Sequence, residues 1–81
     1  MGAGQTVWRT GPDHFLSAEI DGFRLVVHGP EHAGEPARFQ VMRHDAGGHR
    51  ILIGSGTEPD VRTAMAAAEQ MARTLAGRDS P

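Results

Sequence analysis

The dipeptide Asp21-Gly22 most restricts how this chain folds, because segments rich in apolar residues flank it on both sides. A two-residue Asp-Gly loop between such segments is the strongest short-range signal for a β-hairpin with a type I′ turn, in which both turn residues have positive φ. Residues 14–20 and 23–28 are therefore predicted to be paired antiparallel strands.

The short loop also fixes the register of this hairpin, so each side chain can be assigned to a face of the sheet. One face receives three apolar pairs: Leu16 opposite Val27, Ala18 opposite Leu25, and Ile20 opposite Phe23. The other face receives Phe15 opposite His28, Ser17 opposite Val26, and Glu19 opposite Arg24, which makes a cross-strand charge pair. The turn chemistry and the hydrophobic pattern agree, which indicates a sheet covered on one side only.

Two more strands are predicted after the hairpin. Residues 29–36 are rich in Gly, Pro and Glu and indicate a loop. Apolar and polar residues alternate over 37–43, which predicts a third strand. A turn at 45–48 separates it from a fourth strand at 50–54. An even loop would set Arg43 opposite Arg50. We prefer an odd loop with a glycine bulge, which pairs Val41 with Ile51 and Phe39 with Ile53 and separates the arginines.

The C-terminal part of the chain predicts a helix. The turn Gly54-Ser55-Gly56 leads into it, and Gly77 is its predicted C-cap. Thr57 is the predicted N-cap, with Asp60 in the capping-box position and Pro59 in the first turn. Glu69 and Arg73 are spaced as a favourable i,i+4 pair. An apolar stripe follows helical spacing: Val61, Ala64, Met65, Ala68, Ala72 and Leu75, with Met71 at its margin.

These elements predict an α+β fold in which a four-stranded antiparallel sheet (β-β-β-β-α) has one C-terminal helix packed on one face. Residues 7–10 are expected to add a short N-terminal edge strand, and Trp8 to pack across the sheet edge or the helix. The expected organisation is a flexible leader at 1–6, a single domain at 7–77 and a flexible tail at 78–81.

Composition narrows the classes of function. The chain has 81 residues, a formal net charge of −2, no cysteine, no signal-peptide pattern and no long apolar run. We therefore expect a cytoplasmic protein that neither crosses a membrane nor carries a disulfide or thiolate metal site. A dedicated DNA-binding module is usually basic, so the overall charge argues mildly against nucleic acid.

Catalysis has little support in the sequence. Gly54-Ser55-Gly56 differs from the nucleophile motif G-x-S-x-G, and Glu58 and Asp60 would repel phosphate from the start of the helix. We expect no enzyme activity, no catalytic residue and no cofactor. The chain has five histidines, His14, His28, His32, His44 and His49, and we expect solvated side chains at strand ends and in loops rather than a metal site.

The uncovered sheet face is the expected functional surface. Its mixture of apolar, aromatic and arginine side chains is typical of protein interfaces. We expect a homodimer, or another protein partner, bound through this face or through an edge strand. The alternative is weak binding of single-stranded or duplex nucleic acid by the same face. The predicted partner-binding residues are Phe15, Arg24, Val26, Arg38, Gln40, Met42 and Arg50.

The stretch Ile51 to Ala72, a strand, a Gly-Ser-Gly-Thr turn and an alanine-rich helix, is similar in topology to the end of AP2-like and integrase-arm DNA-binding domains. Those domains also place a three-stranded sheet before one helix. The strands here lack the dense basic and aromatic positions that those domains use against DNA, so no residue is carried over from them.

Overall fold

The computed structural model describes residues 6–12 and 15–79, which form an antiparallel sheet of five strands followed by a helix. The elements are β1 (Arg9–Thr10), β2 (Phe15–Ile20), β3 (Phe23–His28), β4 (Ala37–His44), β5 (Arg50–Glu58) and α1 (Val61–Asp79). The spatial order of the strands follows the chain, β1-β2-β3-β4-β5. The predicted α+β class is confirmed, and the expected short N-terminal strand is the fifth strand. His14, with which the first predicted strand began, lies outside the described residues.

The hairpin of β2 and β3 has the register that its turn predicted. Leu16, Ala18 and Ile20 pair with Val27, Leu25 and Phe23 respectively. Asp21 has φ of 52° and Gly22 has φ of 86°, as a type I′ turn requires. This hairpin is continued by β4, which pairs with β3 along the full length of β3.

The predicted register of β4 and β5 is wrong. Val41 pairs with Gly54 rather than Ile51, and Phe39 pairs with Gly56 rather than Ile53. Arg50 lies opposite His44, so the arginines are separated as expected, but by a different register. The Asp45 side chain causes this register by organising the loop, since its Oδ1 accepts hydrogen bonds from the backbone N–H groups of Gly47 and His49, both at 2.9 Å. The backbone N–H of Asp45 also donates to the carbonyl of His49 at 2.9 Å, which closes the loop.

The predicted turn at Gly54-Ser55-Gly56 is also wrong, because β5 continues through these residues to Glu58. A β-bulge lies between Leu52 and Gly54, where Ile53 is the extra residue. Both glycines face the helix. A Cβ at Gly54 would overlap the Sδ of Met71, and a Cβ at Gly56 would lie 2.7 Å from the Phe39 ring. Glycine is therefore favoured at position 56 by close packing against the Phe39 ring rather than by a turn, whereas at position 54 the flexible Met71 side chain could move aside.

The N-cap of α1 is Asp60 rather than Thr57, because Thr57 still belongs to β5. The Oδ1 of Asp60 accepts a hydrogen bond from the backbone N–H of Thr63 at 2.8 Å, which satisfies a free donor of the first turn. The predicted C-cap at Gly77 is wrong too, since the helix runs on to Asp79.

The core lies between the helix and the sheet, as the two apolar patterns predicted. Alanines in the apolar stripe of α1 bring the helix close to β3 and β4, and their small side chains are fully covered. The buried residues of this core are Phe23, Leu25, Val27, Ala37, Phe39, Val41, Ala64, Ala68 and Ala72. Partly buried neighbours extend it at the margins, among them Leu16, Ile20, Val61, Met65 and Leu75.

Trp8 attaches the N-terminal segment to the helix. Its indole packs against the core, and its Nε1 donates a hydrogen bond to the Oε2 of Glu69 at 2.7 Å. Glu69 also makes the predicted i,i+4 ion pair with Arg73, with 3.5 Å between Oε1 and the guanidinium. The expectation that Trp8 packs across the helix is confirmed.

Candidate binding surfaces

The face of the sheet opposite α1, here called the open face, is an ordered grid of side chains. The pairings of adjacent strands align its side chains in three transverse rows. These rows are Glu19–Arg24–Met42–Leu52, then Arg9–Ser17–Val26–Gln40–Ser55, then Phe15–His28–Arg38–Thr57. His44 and Arg50 extend the grid beyond the first row.

All seven predicted partner-binding residues lie on the open face, although they differ in accessibility. Arg38, Gln40 and Arg50 are exposed, whereas Phe15, Arg24 and Met42 are partly buried. Val26 is only 4% exposed because longer side chains surround it at the centre of the grid. Val26 therefore forms the floor of this surface, so a partner would meet its neighbours first.

Arginines dominate the charge of the open face. Its strand residues include Arg9, Arg24, Arg38 and Arg50 but only one carboxylate, Glu19. These side chains give a formal charge of +3, whereas the whole chain has −2. The rest of the chain consequently has a formal charge of −5. The open face is thus more basic than the rest of the chain, and the overall net charge conceals this difference.

Arg24 lies at the centre of this charged region, opposite Glu19 as the hairpin register predicted. Its Nε is buried, and among the described residues this atom has no hydrogen-bond partner. An unsatisfied buried donor costs free energy. Arg24 and Arg9 also border a groove of about 740 Å³ beside the part of β2 that β1 leaves uncovered.

Phe15 and His28 form an aromatic pair at one end of the open face. Their ring centroids lie 4.7 Å apart with an angle of 71° between the planes, which is an edge-to-face contact. Arg38 is the next residue in the same row. The loop after β3 brings Glu31 and Glu35 to this end, where they border a pocket together with Arg38.

The free edge of β5 is a second candidate surface. This strand is nine residues long, and no described strand pairs with its outer side. Leu52 is 54% exposed and Ile51 is 39% exposed. Among the described residues the other exposed large hydrophobic residue is Val7, 71% exposed, which lies near the opposite edge. Long exposed apolar edge strands are sites of intermolecular strand pairing.

The outer side of β5 also presents free backbone groups. The backbone N–H of Asp45 donates to the carbonyl of His49 across the loop. Because inward and outward backbone groups alternate along an antiparallel strand, the N–H and C=O groups of Arg50 and Leu52 point away from β4. Next to this edge, an open apolar groove of about 570 Å³ separates β5 from α1. Ile53, Met71 and Leu75 are among its lining residues.

The histidines do not form a metal site in the part of the chain that the structure describes, where no three potential ligands of the His, Cys, Asp and Glu types come together. His49 approaches Asp45 at 3.6 Å, and both belong to the exposed loop before β5. Ser55 is exposed on the open face, within a strand. The helix was predicted to begin just after this serine, with Thr57 as its N-cap, but it begins at Val61.

Sequence reasoning missed four residues of the open face, Arg9, His44, Ser55 and Thr57. Arg9 could have been found by extending the alternation of residues 7–10 across the sheet, since it pairs with Ser17. Ser55 and Thr57 were missed because their segment was interpreted as a turn. The length of the free β5 edge was missed for the same reason.

Comparisons of this chain with protein-family models, with curated proteins and with solved structures found no match. None of the described helices is long and apolar enough to cross a membrane. The proposed function is therefore inferred from the open face and the free edge of β5.

Proposed function

We propose that this chain is a small non-catalytic interaction domain that forms a homodimer through the free edge of β5. The observation that carries the proposal is the exposure of Ile51 and Leu52 on a nine-residue strand without a partner. Pairing of two β5 strands about a two-fold axis would satisfy their outward backbone groups and cover both apolar side chains.

The charge of the open face favours the edge over the face as the self-association surface. A face-to-face dimer would bring together two surfaces that each have a formal charge of +3, and like charges in contact cost free energy. Edge pairing keeps these faces side by side. The groove between β5 and α1 adds apolar surface for a partner strand, since Ile53 and Met71 line it.

The proposal is tested by light scattering coupled to gel filtration over a wide range of protein concentrations. The wild-type chain is expected to reach twice its monomer mass of 8.7 kDa. Leu52→Glu should give a monomer, because dimerisation would bury its carboxylate without a partner. Val7→Glu is the matched control, since it places the same charge at a more exposed position near the opposite edge.

A proline variant separates strand pairing from side-chain contact. The backbone N–H of Leu52 points outward, so Leu52→Pro removes the donor needed for pairing while leaving the ladder with β4 intact. Far-UV circular dichroism should show a folded monomer. A wild-type chain that stays monomeric at high concentration would refute the proposal, and so would a Val7→Glu variant that loses the dimer as completely as Leu52→Glu.

A further inference from the structure

By the register of the strands, three arginines of the open face lie on one diagonal that crosses the whole sheet. Arg9 lies in the same row as Val26, which is two residues from Arg24 along β3. Leu52 lies in the same row as Arg24, and Arg50 is two residues from Leu52 along β5. Each step crosses two strands and two residues in the same direction. With strands about 4.8 Å apart and a rise of about 3.3 Å per residue, neighbouring arginines are about 12 Å apart and the diagonal is about 23 Å long.

Acidic residues lie beside this diagonal, and one of them, Asp45, is in the loop next to Arg50. Glu19 is beside Arg24, and Asp21 lies in the turn at the end of the adjacent groove. Arg73 also borders that groove, but it is paired with Glu69. Arg38 is off the diagonal, where Glu31 and Glu35 share its pocket. The diagonal is therefore the part of the face most suited to a chain of negative charges.

We propose that the open face binds single-stranded nucleic acid, whose phosphates follow the diagonal of Arg9, Arg24 and Arg50. Arginine donates paired hydrogen bonds to phosphate oxygens, and of these three arginines Arg9 and Arg50 are exposed and Arg24 is partly exposed. This inference goes beyond the proposed dimer, because it concerns a different surface and a different class of partner.

The neutral residues of the face favour a nucleic-acid strand over an acidic protein segment. Phe15 and His28 offer ring surfaces beside Arg9 and Arg38, on which unpaired bases could stack. Ser17 and Gln40 lie in the middle row between the diagonal and these rings, and they can hydrogen-bond to base edges. An acidic peptide would use the arginines but would gain nothing from the aromatic pair.

The test is a fluorescence-anisotropy titration of the full chain with a labelled mixed-sequence DNA strand of about 20 nucleotides. Three phosphate contacts predict that log affinity falls with log salt concentration with a slope of about −2. Raising salt from about 50 to about 200 mM should then weaken binding about 15-fold. An unlabelled polyglutamate of matched charge serves as the competitor.

Single variants distinguish binding along the arginine diagonal from general electrostatic attraction between the protein and the DNA strand. Arg24→Gln should reduce the magnitude of the salt slope by about 0.7, and Glu19→Gln should tighten binding by removing the one carboxylate in the rows. Arg62→Gln is the matched control, because Arg62 is exposed on the helix, on the other side of the molecule. It should leave both the affinity and the slope unchanged.

The aromatic pair gives an independent readout. Phe15→Leu keeps an apolar side chain at this half-buried position but removes the ring, and it should weaken strand binding about tenfold with an unchanged salt slope. Thermal melting of each variant checks that it is folded. The proposal is overturned if the strand does not bind at low salt, if Arg62→Gln weakens binding as much as Arg24→Gln, or if polyglutamate competes as well as unlabelled DNA.

Discussion

At the scale of single residues, Gly56 shows how closely the sheet is packed. A Cβ at this position would lie 2.7 and 2.8 Å from two ring carbons of Phe39, whose side chain is buried against the helix. The ring belongs to the same buried core as Ala68 and Ala72, so it would have to shift toward the groove beside β5 to accept the new methyl group. We expect Gly56→Ala to lower the free energy of unfolding by about 1–3 kcal/mol, as overpacked cores do. Urea unfolding followed by circular dichroism measures this change.

The same substitution at Gly77 should have the opposite sign. Gly77 lies inside α1, it does not have positive φ, and a Cβ there would meet no atom within 4 Å. Alanine is the better helix former, so Gly77→Ala should raise the free energy of unfolding by about 0.5–1 kcal/mol. If Gly56→Ala left the free energy of unfolding unchanged or raised it, close packing would not be the reason for glycine at position 56.

The face to which each residue belongs was the part of the candidate site that the sequence could predict. Strict alternation places Arg24, Arg38 and Gln40 on the open face, and the structure agrees. The burial of Val26 could not be predicted in this way. Alternation shows the side on which a residue lies, whereas burial also depends on the length of the side chains around it.

At the scale of elements, the start of α1 couples its stability to pH. The pKa of Asp60 lies below its ordinary value of 3.8, first because the backbone N–H of Thr63 donates to the carboxylate and next because the Thr63 side chain does so. A lowered pKa in the folded state contributes stability above pH 3.8, and this contribution is lost as the pH falls through the folded-state pKa. We expect the Tm to fall with acidification partly for this reason.

Asp60→Asn is the variant that isolates this effect. Asparagine keeps an oxygen that can accept the hydrogen bond from Thr63, but it has no charge to titrate. The difference in Tm between wild type and Asp60→Asn, measured by circular dichroism from about pH 6 to about pH 2, should narrow below pH 3.8. A constant difference over this range would show that the cap is insensitive to its charge.

The elements that the sequence predicted well are those in which local chemistry allows one structure only. The Asp21-Gly22 turn determines both φ angles and therefore the register of β2 and β3. The segment Gly54-Ser55-Gly56 was ambiguous, because glycine serves equally in turns and under a closely packed helix. Its actual role depends on Met71 and Phe39, which are distant in sequence. The register of β5 similarly depends on hydrogen bonds to the Asp45 side chain.

At the scale of the whole molecule, the two proposed surfaces occupy different sides of one sheet. The β5 edge would bind a second copy. In such a dimer both helices would lie on one side of the joined sheet and both open faces on the other, so the open faces would remain accessible. Two diagonals of arginines would then lie on one continuous surface, which lengthens the path available to an extended polyanion.

The N-terminal segment and the helix are joined by a contact that spans 61 residues of the chain, the hydrogen bond from Trp8 to Glu69. This bond is charge-assisted and partly buried, so a double-mutant cycle of Trp8→Phe and Glu69→Ala should give a coupling free energy of about 1–2 kcal/mol. Phenylalanine keeps most of the apolar contact with the core. Urea unfolding is followed by far-UV circular dichroism, because Trp8 is the sole tryptophan.

Arg73→Ala is the control for this cycle, because Glu69 also pairs with Arg73 at 3.5 Å. Arg73 is about half exposed, so its ion pair should contribute less than the bond to Trp8. If Arg73→Ala lowered stability as much as Glu69→Ala, the carboxylate would act mainly through the ion pair. A coupling near zero between Trp8 and Glu69 would show that this hydrogen bond does not stabilise the attachment, which would then depend on the apolar contacts of Trp8 and on the hydrogen bond from Arg73 to Thr6, 3.4 Å long.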